Sequence, residues 1–386
     1  MKINKTVLAS VLGLSVASYC SAGTIYMSGS TAMRSVVYAT IINPGSVFTA
    51  APTTTLFQGG GSSANYMAFS GTLVGGSGTT VLQCHWSGSE GGIADVAVPR
   101  TTDFIDPSLL DGTDHGANVP SLTVTATPDL AMADNSQATS RTKTPVLTKG
   151  AKVGIITFKW IRNPGVWTGG NITSQQIRQV LRGYCPLAVL TGNAADTTSY
   201  VYCSGRDNQS GTRVNQYGES GFGIFTIPSQ IELDGSGNMV EVGGTGSGIY
   251  IGDYGFSSGG TLANTMGANT TSSSDPVNGG TGFSVISFMS VGDATTAIGK
   301  GAVELTADGV AFSSAAVKEG TYSYWGNEYI YERNADIGTN PEVDTAYARL
   351  INTTTGINNF CDGVKAIKLT DMHCTRSGPT GDPAHN

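Results

Sequence analysis

Charged residues are scarce in this chain, and basic residues are the scarcer kind. Only 13% of the 386 residues are charged, and 21 basic residues stand against 28 acidic ones, giving a net charge of −7. Proteins that bind nucleic acids neutralise phosphates with clustered lysines and arginines. The balance argues against that class of partner, and we expect no nucleic-acid binding.

Long apolar runs are also lacking, with one exception at the N-terminus. Val7–Ala17 is apolar, follows Lys2 and Lys5, and precedes the small residues Ser21 and Ala22. The run is shorter than the ~20 residues of a membrane-spanning helix and has the layout of a secretory signal peptide. We therefore expect cleavage after Ala22 and export to the periplasm or the extracellular space.

Cysteine is rare, with six in the chain, one of them in the predicted leader. Export implies an oxidising compartment, in which disulfides form. The five remaining cysteines cannot all pair. The pairings that close short loops are Cys185–Cys203 and Cys361–Cys374, and we expect these two disulfides, with Cys84 left as a free thiol.

Glycine, in contrast, is abundant, with 53 residues, while hydrophobic residues still make up 39% of the chain. This composition is typical of a turn-rich folded protein and not of a disordered one. A chain of this length suits two lobes better than one simple core.

Short apolar runs alternate with helical patterns along the chain, which favours an α/β fold. We expect strands at Thr54–Phe57, Tyr66–Phe69 and Val153–Phe158, a helix at Ser174–Leu181, and a loop at Asn264–Gly282.

The segment Arg206–Thr212 has the composition of an oxyanion site. Arg206 supplies a planar guanidinium that can donate to two oxygens of one ligand. Gly211 lets the backbone approach a ligand, and Ser210 and Thr212 add hydroxyl and backbone N–H donors. A helix that begins here would point its positive dipole end at an anion. The alternative is that this segment is a polar surface loop that contains one arginine and binds no anion.

Three further segments have the same character. Ile25–Met27 is a short apolar run, followed by the small residues Ser28–Ala32 and then by helical apolar spacing. A strand, a small-residue turn and a helix form the layout of a backbone anion cradle. The other two segments are Gly88–Gly92 and Asp129–Asp134.

Taken in this order, the four segments resemble motifs of the phosphate-binding proteins of ABC importers, in the class II periplasmic binding protein superfamily. Gly29–Thr31 is similar to the family's Gly-Ser/Ala-Thr turn, and Gly88–Gly92 is similar to its Gly-Ser-x-Gly-Gly loop. Asp129 and Asp134 have the spacing of its Asp-x4-Asp element, whose second Asp faces the ligand. Arg206–Thr212 matches its Arg-x3-Ser-Gly-Thr element, and the resemblance is patchy elsewhere.

The chain departs from the family in two places. Asp95–Thr127 is longer than the family usually allows between its second and third elements. Glu90 stands where a neutral residue is usual, which puts a negative charge near the expected anion pocket. Both departures bear on the ligand more than on the fold.

The resemblance implies an α/β, two-lobed periplasmic binding protein-like fold of class II, each lobe a mixed sheet flanked by helices, with a hinge between them. Residues 1–22 would be the signal peptide, 23–150 the first part of lobe one, 151–324 lobe two, and 325–386 the return to lobe one with the C-terminal tail. A cleft between the lobes is then the expected ligand site. The ligand-binding residues that the resemblance implies are Ser30, Thr31, Ala32, Ser89, Asp134, Arg206, Ser210, Gly211 and Thr212.

The function that the resemblance implies is capture of inorganic phosphate, or a similar oxyanion, for an inner-membrane ABC permease, by a monomer without metal or cofactor and without enzymatic activity. Asp134 would then accept the proton of hydrogen phosphate and repel sulfate, which has none. The alternative role for Asp134 is a helix N-cap.

Two other classes of protein stay open. One is a cell-surface or extracellular structural protein that has the fold and binds no ligand. The other is a serine hydrolase, because Gly255–Gly259 fits Gly-x-Ser-x-Gly around Ser257, and Asp293 and His373 follow in the order of a triad. Zinc is not expected, because the cysteines and histidines lack Cys-x2-Cys spacing.

Overall fold

The structure is a computed structural model, and it describes residues 21–233, 239–240, 250–251, 254–268, 275, 277–279, 282–376 and 384–385. Of the predicted signal peptide, residues 1–22, the first twenty lie outside the described residues, and Ser21 and Ala22 are the first residues of β1.

The strands of the described part vary from two residues to fourteen. Their bounds are β1 Ser21–Gly29, β2 Thr53–Phe57, β3 Tyr66–Gly71, β4 Thr79–His85, β5 Thr102–Ile105, β6 Thr123–Ala126, β7 Leu130–Ala133, β8 Lys149–Arg162, β9 Asn171–Ile172, β10 Cys185–Pro186, β11 Tyr200–Cys203, β12 Ser229–Gln230, β13 Glu232–Leu233, β14 Met239–Val240, β15 Tyr250–Ile251, β16 Phe283–Ser290, β17 Val303–Ala307, β18 Trp325–Glu332, β19 Ala366–Ile367, β20 Cys374–Thr375 and β21 Ala384–His385.

The helices are short, at ten residues or fewer. Their bounds are α1 Arg34–Ile42, α2 Ser89–Ala97, α3 Ser174–Arg182, α4 Ala188–Thr191, α5 Gly211–Glu219, α6 Gly259–Ala268, α7 Val291–Gly299, α8 Ser314–Lys318 and α9 Pro341–Leu350. No helix in the described part of the chain is long and apolar enough to cross a membrane.

Thirteen of the described strands form one mixed sheet. Its main path runs β10-β11-β16-β8-β18-β7-β1-β4-β3-β2, and β9, β17 and β19 pair beside that path. β1 pairs in parallel with β4 and β7, β11 pairs in parallel with β16, and β18 pairs antiparallel with β7 and β8. The predicted mixed α/β fold class is confirmed.

β8 is the longest strand of the described part, and its two parts pair with different strands. The first part of β8 pairs with β18, from Lys149 opposite Glu332 to Thr157 opposite Trp325. Its last residues pair instead with β16, from Phe158 to Arg162. The lobe boundaries at residues 150 and 325 stay predictions.

The predicted helix at residues 174–181 is confirmed as α3, and its local sequence explains both of its ends. Thr173 accepts a hydrogen bond from the backbone N–H of Gln176, whose side chain accepts one from the N–H of Thr173 in return. This capping box satisfies two donors that would otherwise lack partners. Gly183 ends the helix at φ +85°, and Ile177, Val180 and Leu181 bury its apolar face.

The predicted strands at 54–57, 66–69 and 153–158 lie within β2, β3 and β8. The predicted loop at 264–282 is wrong in its first residues, since α6 continues to Ala268. Leu262, Ala263 and Met266 are buried on that helix, so tertiary packing supports helix in a stretch rich in Gly, Ser and Thr.

The unusually long segment 95–127 contains the hairpin of β5 and β6. It lies against the sheet: His115 stacks on Phe57 of β2 at 4.1 Å between ring centroids, and Phe104 contacts Tyr26 of β1 at 4.6 Å. The segment therefore covers part of the sheet that includes β1 and β2.

The two predicted disulfides are not formed, and the five cysteines of the described residues are unpaired, buried thiols. The register of β10 and β11 sets Cys185 opposite Val201, which leaves Cys203 as its diagonal neighbour. Diagonal neighbours lie about 7–8 Å apart, with their Cβ atoms somewhat closer, whereas a disulfide holds the two Cβ atoms about 4 Å apart. The thiols of Cys361 and Cys374 hydrogen-bond to different carbonyls, those of Ile357 and Val317.

Candidate functional site

The turn after β1 contacts both β7 and β18, through the backbone and the side chain of Ser30. Gly29 has φ +121°, and a Cβ added there would lie 2.0 Å from the carbonyl oxygen of Met132. The N–H of Ser30 donates to that same carbonyl at 2.8 Å. Only glycine permits this approach, and α1 begins four residues beyond Ser30 at Arg34.

Asp134 is the most completely hydrogen-bonded acidic residue of the site. It follows β7 directly and its side chain is 1% exposed. Its Oδ1 accepts from the Ser89 hydroxyl at 2.5 Å, and its Oδ2 accepts from the Thr212 hydroxyl at 3.0 Å. Burial raises the pKa of Asp134, and the bonds from Ser89 and Thr212 and the charge of Arg206 oppose that rise.

Two helices begin at this carboxyl group. Ser89 is the first residue of α2, and Gly211 is the first residue of α5. A Cβ added to Gly211 would lie 1.7 Å from Oδ1 of Asp134, so no other residue fits there without movement. Helix N-termini carry partial positive charge and favour an anion. Asp134 is not the N-cap of a helix that follows it, because the next helical turn is capped at Ser136.

Arg206 is buried, at 3% exposure, and its guanidinium is fixed by backbone carbonyls. Nε donates to the carbonyl of Phe256 at 3.0 Å, and Nη2 donates to that of Ser257 at 2.8 Å. Nη1 lies 3.5 Å from the Thr31 hydroxyl. The guanidinium therefore links the segment before α6 to the turn after β1 and is oriented by neutral groups.

The remaining predicted site residues occupy different positions around these groups. Ser30 is fully buried. Thr31 and Ala32 are half-buried, and both line a cavity of about 170 Å³. Ser210 is the N-cap of α5, and its hydroxyl accepts from the N–H of Arg213 at 3.3 Å. The structure thus brings Ser89, Gly211 and Thr212 to Asp134, with Ser210 at the start of the same helix as Gly211. It places Arg206 next to Thr31, which lines a cavity with Ala32, and it places Ser30 next to the carboxyl group of residue 328.

Glu328 belongs to the same site, and the sequence analysis missed it. It lies in β18, is 0% exposed, and its Oε2 accepts from the Ser30 hydroxyl at a long 3.4 Å. Its Oε1 has no hydrogen-bond partner among the described residues. Burial raises the pKa of Glu328 well above its usual value, and the nearby Asp134 raises it further. The only signal in the sequence is an acidic residue inside an aromatic-rich strand.

The carboxylate of Glu90, which the sequence places near the expected anion pocket, hydrogen-bonds to residues outside the predicted site. Its carboxylate accepts from Asn135 Nδ2 at 2.7 Å, from the Ser140 hydroxyl at 3.1 Å and from the Arg141 N–H at 2.8 Å. The first Asp of the Asp-x4-Asp element, Asp129, is also structural. It accepts from the Tyr26 N–H and forms an ion pair with Arg333, both at 2.8 Å.

The residues of the hydrolase alternative have separate partners. Asp293 accepts from the Ser290 hydroxyl at the start of α7, and His373 contacts exposed Glu319 at 2.5 Å. In the described structure neither of them hydrogen-bonds to Ser257, whose carbonyl accepts from Arg206. No group of three or more His, Cys, Asp and Glu side chains is placed to hold a metal ion in that same part of the chain.

No protein-family model matches the chain, and no curated protein matches it. Among solved structures it is similar to the substrate-binding protein assigned to a phosphate ABC transporter of Clostridium perfringens, solved with phosphate bound. The TM-score is 0.51, with 13% identity over 90% of this chain and 99% of that one. Lower TM-scores are found for an ABC-type phosphate transport receptor from Vibrio cholerae (0.42, 12% identity, 84% and 93% covered) and for a phosphate-binding protein from Stenotrophomonas maltophilia (0.35, 12% identity, 88% and 98% covered).

The likeness to the clostridial protein extends along almost the full length of both chains. This chain therefore has the mixed α/β fold of two-lobed phosphate-binding proteins. At 13% identity the likeness concerns the fold, and the ligand has to be argued from the site.

Proposed function

We propose that this protein is a solute-binding protein that captures an oxyanion, and that the oxyanion is phosphate. The observation that carries the proposal is the convergence of four distant segments on one buried polar cluster. Ser89 and Thr212 donate to Asp134, while Arg206 lies within hydrogen-bond distance of Thr31 and acts on Asp134 through its charge, although these residues are up to 181 positions apart. The N-termini of α2 and α5, one guanidinium and several hydroxyls form a set of polar groups suited to a tetrahedral anion.

The acidic residue in this cluster supports a ligand that carries a proton. An ionised carboxylate only accepts hydrogen bonds, so Asp134 can pair with the hydroxyl of hydrogen phosphate. Sulfate would bring a bare oxygen against the same carboxylate in a site of low dielectric. Phosphate should therefore bind in preference to sulfate.

In the proposed complex, Arg206 neutralises the ligand, and Asp134 accepts its proton. Donors to its other oxygens come from the hydroxyls and backbone N–H groups of the turn after β1 and of the first turns of α2 and α5. Those donors are assigned to Ser30, Thr31, Ala32, Ser89, Ser210, Gly211 and Thr212. In the proposed complex the hydroxyls of Ser30, Ser89 and Thr212 turn from Glu328 and Asp134 to the ligand, because each hydroxyl has one hydrogen to donate.

The proposed setting is the periplasm or the extracellular space, where the protein acts as a monomer and delivers phosphate to an inner-membrane ABC permease. No covalent chemistry is proposed. Isothermal titration of the purified protein with phosphate and, separately, with sulfate tests the binding step. Saturable binding of phosphate is expected, with weaker or undetectable binding of sulfate. If neither anion binds, the proposed function is wrong.

One observation favours the alternative of a structural protein without a ligand. Both oxygens of Asp134 already accept hydrogen bonds from Ser89 and Thr212, so an internal carboxylate occupies the N-termini of α2 and α5. A ligand that binds only the folded state stabilises it by RT ln(1 + L/Kd), where L is the free ligand concentration. Phosphate should raise the melting temperature if the protein binds it, and should leave it unchanged if the cluster is only structural.

A further inference from the structure

A cavity of about 530 Å³ lies beside the proposed anion site and has no role in the function proposed above. It falls in the range of roughly 300–1,000 Å³ typical of sites for small organic ligands. At ~30 Å³ per water molecule, it has room for far more than an inorganic oxyanion. It is bounded by β3, β4 and the first turn of α6.

The cavity is continuous with the groups that orient Arg206. Ser257 lines the cavity, and its carbonyl is the acceptor for Nη2 of Arg206 at 2.8 Å. Arg34 lines this cavity and also the neighbouring one that Thr31 lines. A ligand held by Arg206 and Thr31 therefore has space beside it on the side of Arg34 and Ser257.

The chemistry of the walls favours a ligand with many hydroxyl groups. The side chains that line the cavity are mostly amides and hydroxyls, among them Asn65, Asn264, Ser63, Ser258 and Thr261. These groups can both donate and accept hydrogen bonds, as the hydroxyls of a polyol do. Polar side chains in such number would give little affinity for an apolar group.

Few formal charges face the cavity. Arg34 is the charged residue of the lining, and its Nη1 donates to Asn65 at 3.4 Å. His85 stacks on Tyr66 with ring centroids 4.2 Å apart, and burial lowers the pKa of His85 to about 4. The imidazole is therefore neutral at neutral pH, and the wall suits an uncharged organic group.

Two groups in the lining have hydrogen-bonding capacity that is not used. Nε1 of Trp86 and Oγ of Ser87 are buried and have no partner among the described residues. Ser87 directly precedes the Gly88-Ser89 turn of the proposed anion site. Both atoms are shielded from the water-accessible cavity, so Ser87 bears on the ligand through its position, which joins the cavity wall to the turn of the proposed anion site.

From these observations we infer that the cavity holds the polyhydroxylated organic group of a phosphate monoester, whose phosphoryl group occupies the proposed oxyanion site as the monoanion, so that its P–OH donates to Asp134. The inference rests on the proposed function, because the phosphoryl group needs Arg206 and its neighbours. It assigns the ligand to the class of small polyol phosphates.

The test compares inorganic phosphate, glycerol 3-phosphate and glucose 6-phosphate by isothermal titration of the unmodified protein at about pH 6, close to the second pKa of a phosphate monoester, where the monoanion is well populated. At least one monoester should bind roughly tenfold more tightly than inorganic phosphate, because it adds hydrogen bonds in the cavity. If phosphate binds and neither monoester binds as well, this inference is overturned and the proposed function stands. If none of the three binds, both are overturned.

Two variants locate the organic group. Gly260 lines the cavity, and an added Cβ there meets nothing closer than 4.0 Å, so Gly260→Phe should fold and narrow the cavity. It should weaken the monoester by roughly tenfold or more and leave inorganic phosphate unchanged. Asn264→Ala should also weaken monoester binding and leave phosphate binding unchanged, with a smaller loss than in Gly260→Phe.

The matched control is Gly299→Phe on α7, where an added Cβ meets nothing within 4 Å and the residue is not part of the cavity lining. It should leave the affinities for phosphate and for the monoesters unchanged. Equal loss of monoester binding in Gly260→Phe and Gly299→Phe, or loss of phosphate binding in Gly260→Phe alone, would overturn the assignment of the cavity.

Discussion

Two acidic side chains, Asp134 and Glu328, are buried within the same site and differ in their hydrogen-bond donors. Asp134 receives bonds from two hydroxyls and lies at the N-terminus of α5. Glu328 receives one long bond from Ser30 and has an oxygen without a partner in the described structure.

The difference in donors assigns different charge states to the two groups. A buried carboxylate is stable only when nearby dipoles and charges replace its water, as they do at Asp134. Two carboxylates so close in a medium of low dielectric repel each other, so one of them keeps its proton. Glu328, which has fewer donors, is the one expected to be protonated.

The largest expected effect comes from removing the cation that faces Asp134. Arg206→Ala should weaken phosphate binding by roughly 2–5 kcal/mol, because it leaves Asp134 and the ligand without their positive partner. Isothermal titration measures the loss. Arg100→Ala is the control, since Arg100 is half-exposed and pairs with Asp95 outside the cluster. Equal affinities in Arg206→Ala and the unmodified protein would exclude Arg206 from ligand binding.

A second effect concerns the ligand that Asp134 selects. Asp134→Asn should gain sulfate affinity relative to phosphate by about 2 kcal/mol, because an amide N–H can donate to a bare sulfate oxygen. Paired titrations of both proteins with both anions, at fixed ionic strength, give the ratio. Asp129→Asn alters the other Asp of the motif, which pairs with Arg333, and should leave the ratio unchanged. An unchanged ratio in Asp134→Asn would show that another residue selects the anion.

A third effect tests the protonation of Glu328 through stability. A folded-state pKa above the unfolded value means that the folded protein holds a proton that the unfolded chain releases, so stability falls as pH rises above about 4.3. The glutamine side chain of Glu328→Gln does not titrate, so this variant should lose less stability than the unmodified protein as the pH rises. Its advantage over the unmodified protein should grow by up to about 1.4 kcal/mol per pH unit until the folded-state pKa is reached.

Chemical denaturation at a series of pH values measures this difference. The control is Glu319→Gln, whose carboxylate is exposed and contacts the exposed His373. That variant should leave the change of stability with pH close to that of the unmodified protein, because an exposed ion pair contributes little to stability. A difference between Glu328→Gln and the unmodified protein that does not vary with pH would mean that Glu328 is ionised in the folded state.

The contrast between Asp134 and Glu328 also explains how much the sequence predicts. The segments that begin at Gly29, Ser89 and Arg206 were found because each is a local motif in which turn residues precede a helix. Asp134 was found through its spacing from Asp129. Glu328 has no such local signal, because its burial depends on β18 pairing with β7 and β8, and its partner Ser30 is 298 positions away.

The prediction of two disulfides was wrong for a similar reason. Short sequence separation suggested Cys185 and Cys203 as a pair, but the strand register places them diagonally. Register depends on which side chains of each strand are buried. The number of residues between Cys185 and Cys203 does not show this. The fold class followed from the alternation of strands and helices, while the contacts across the sheet required the structure.

The smallest expected effect concerns Ser210, which begins the helix whose N-terminus faces Asp134. Its hydroxyl accepts from the N–H of Arg213, so its hydrogen is left to donate to a ligand. Ser210→Ala should cost about 1 kcal/mol of stability as a lost N-cap. Ser210→Gly should cost only a few tenths of a kcal/mol, because glycine is tolerated at this position, yet it removes the same hydroxyl. If the hydroxyl also contacts phosphate, titration should show both variants weakened by about 1 kcal/mol. Unchanged affinity in Ser210→Gly would limit Ser210 to capping α5.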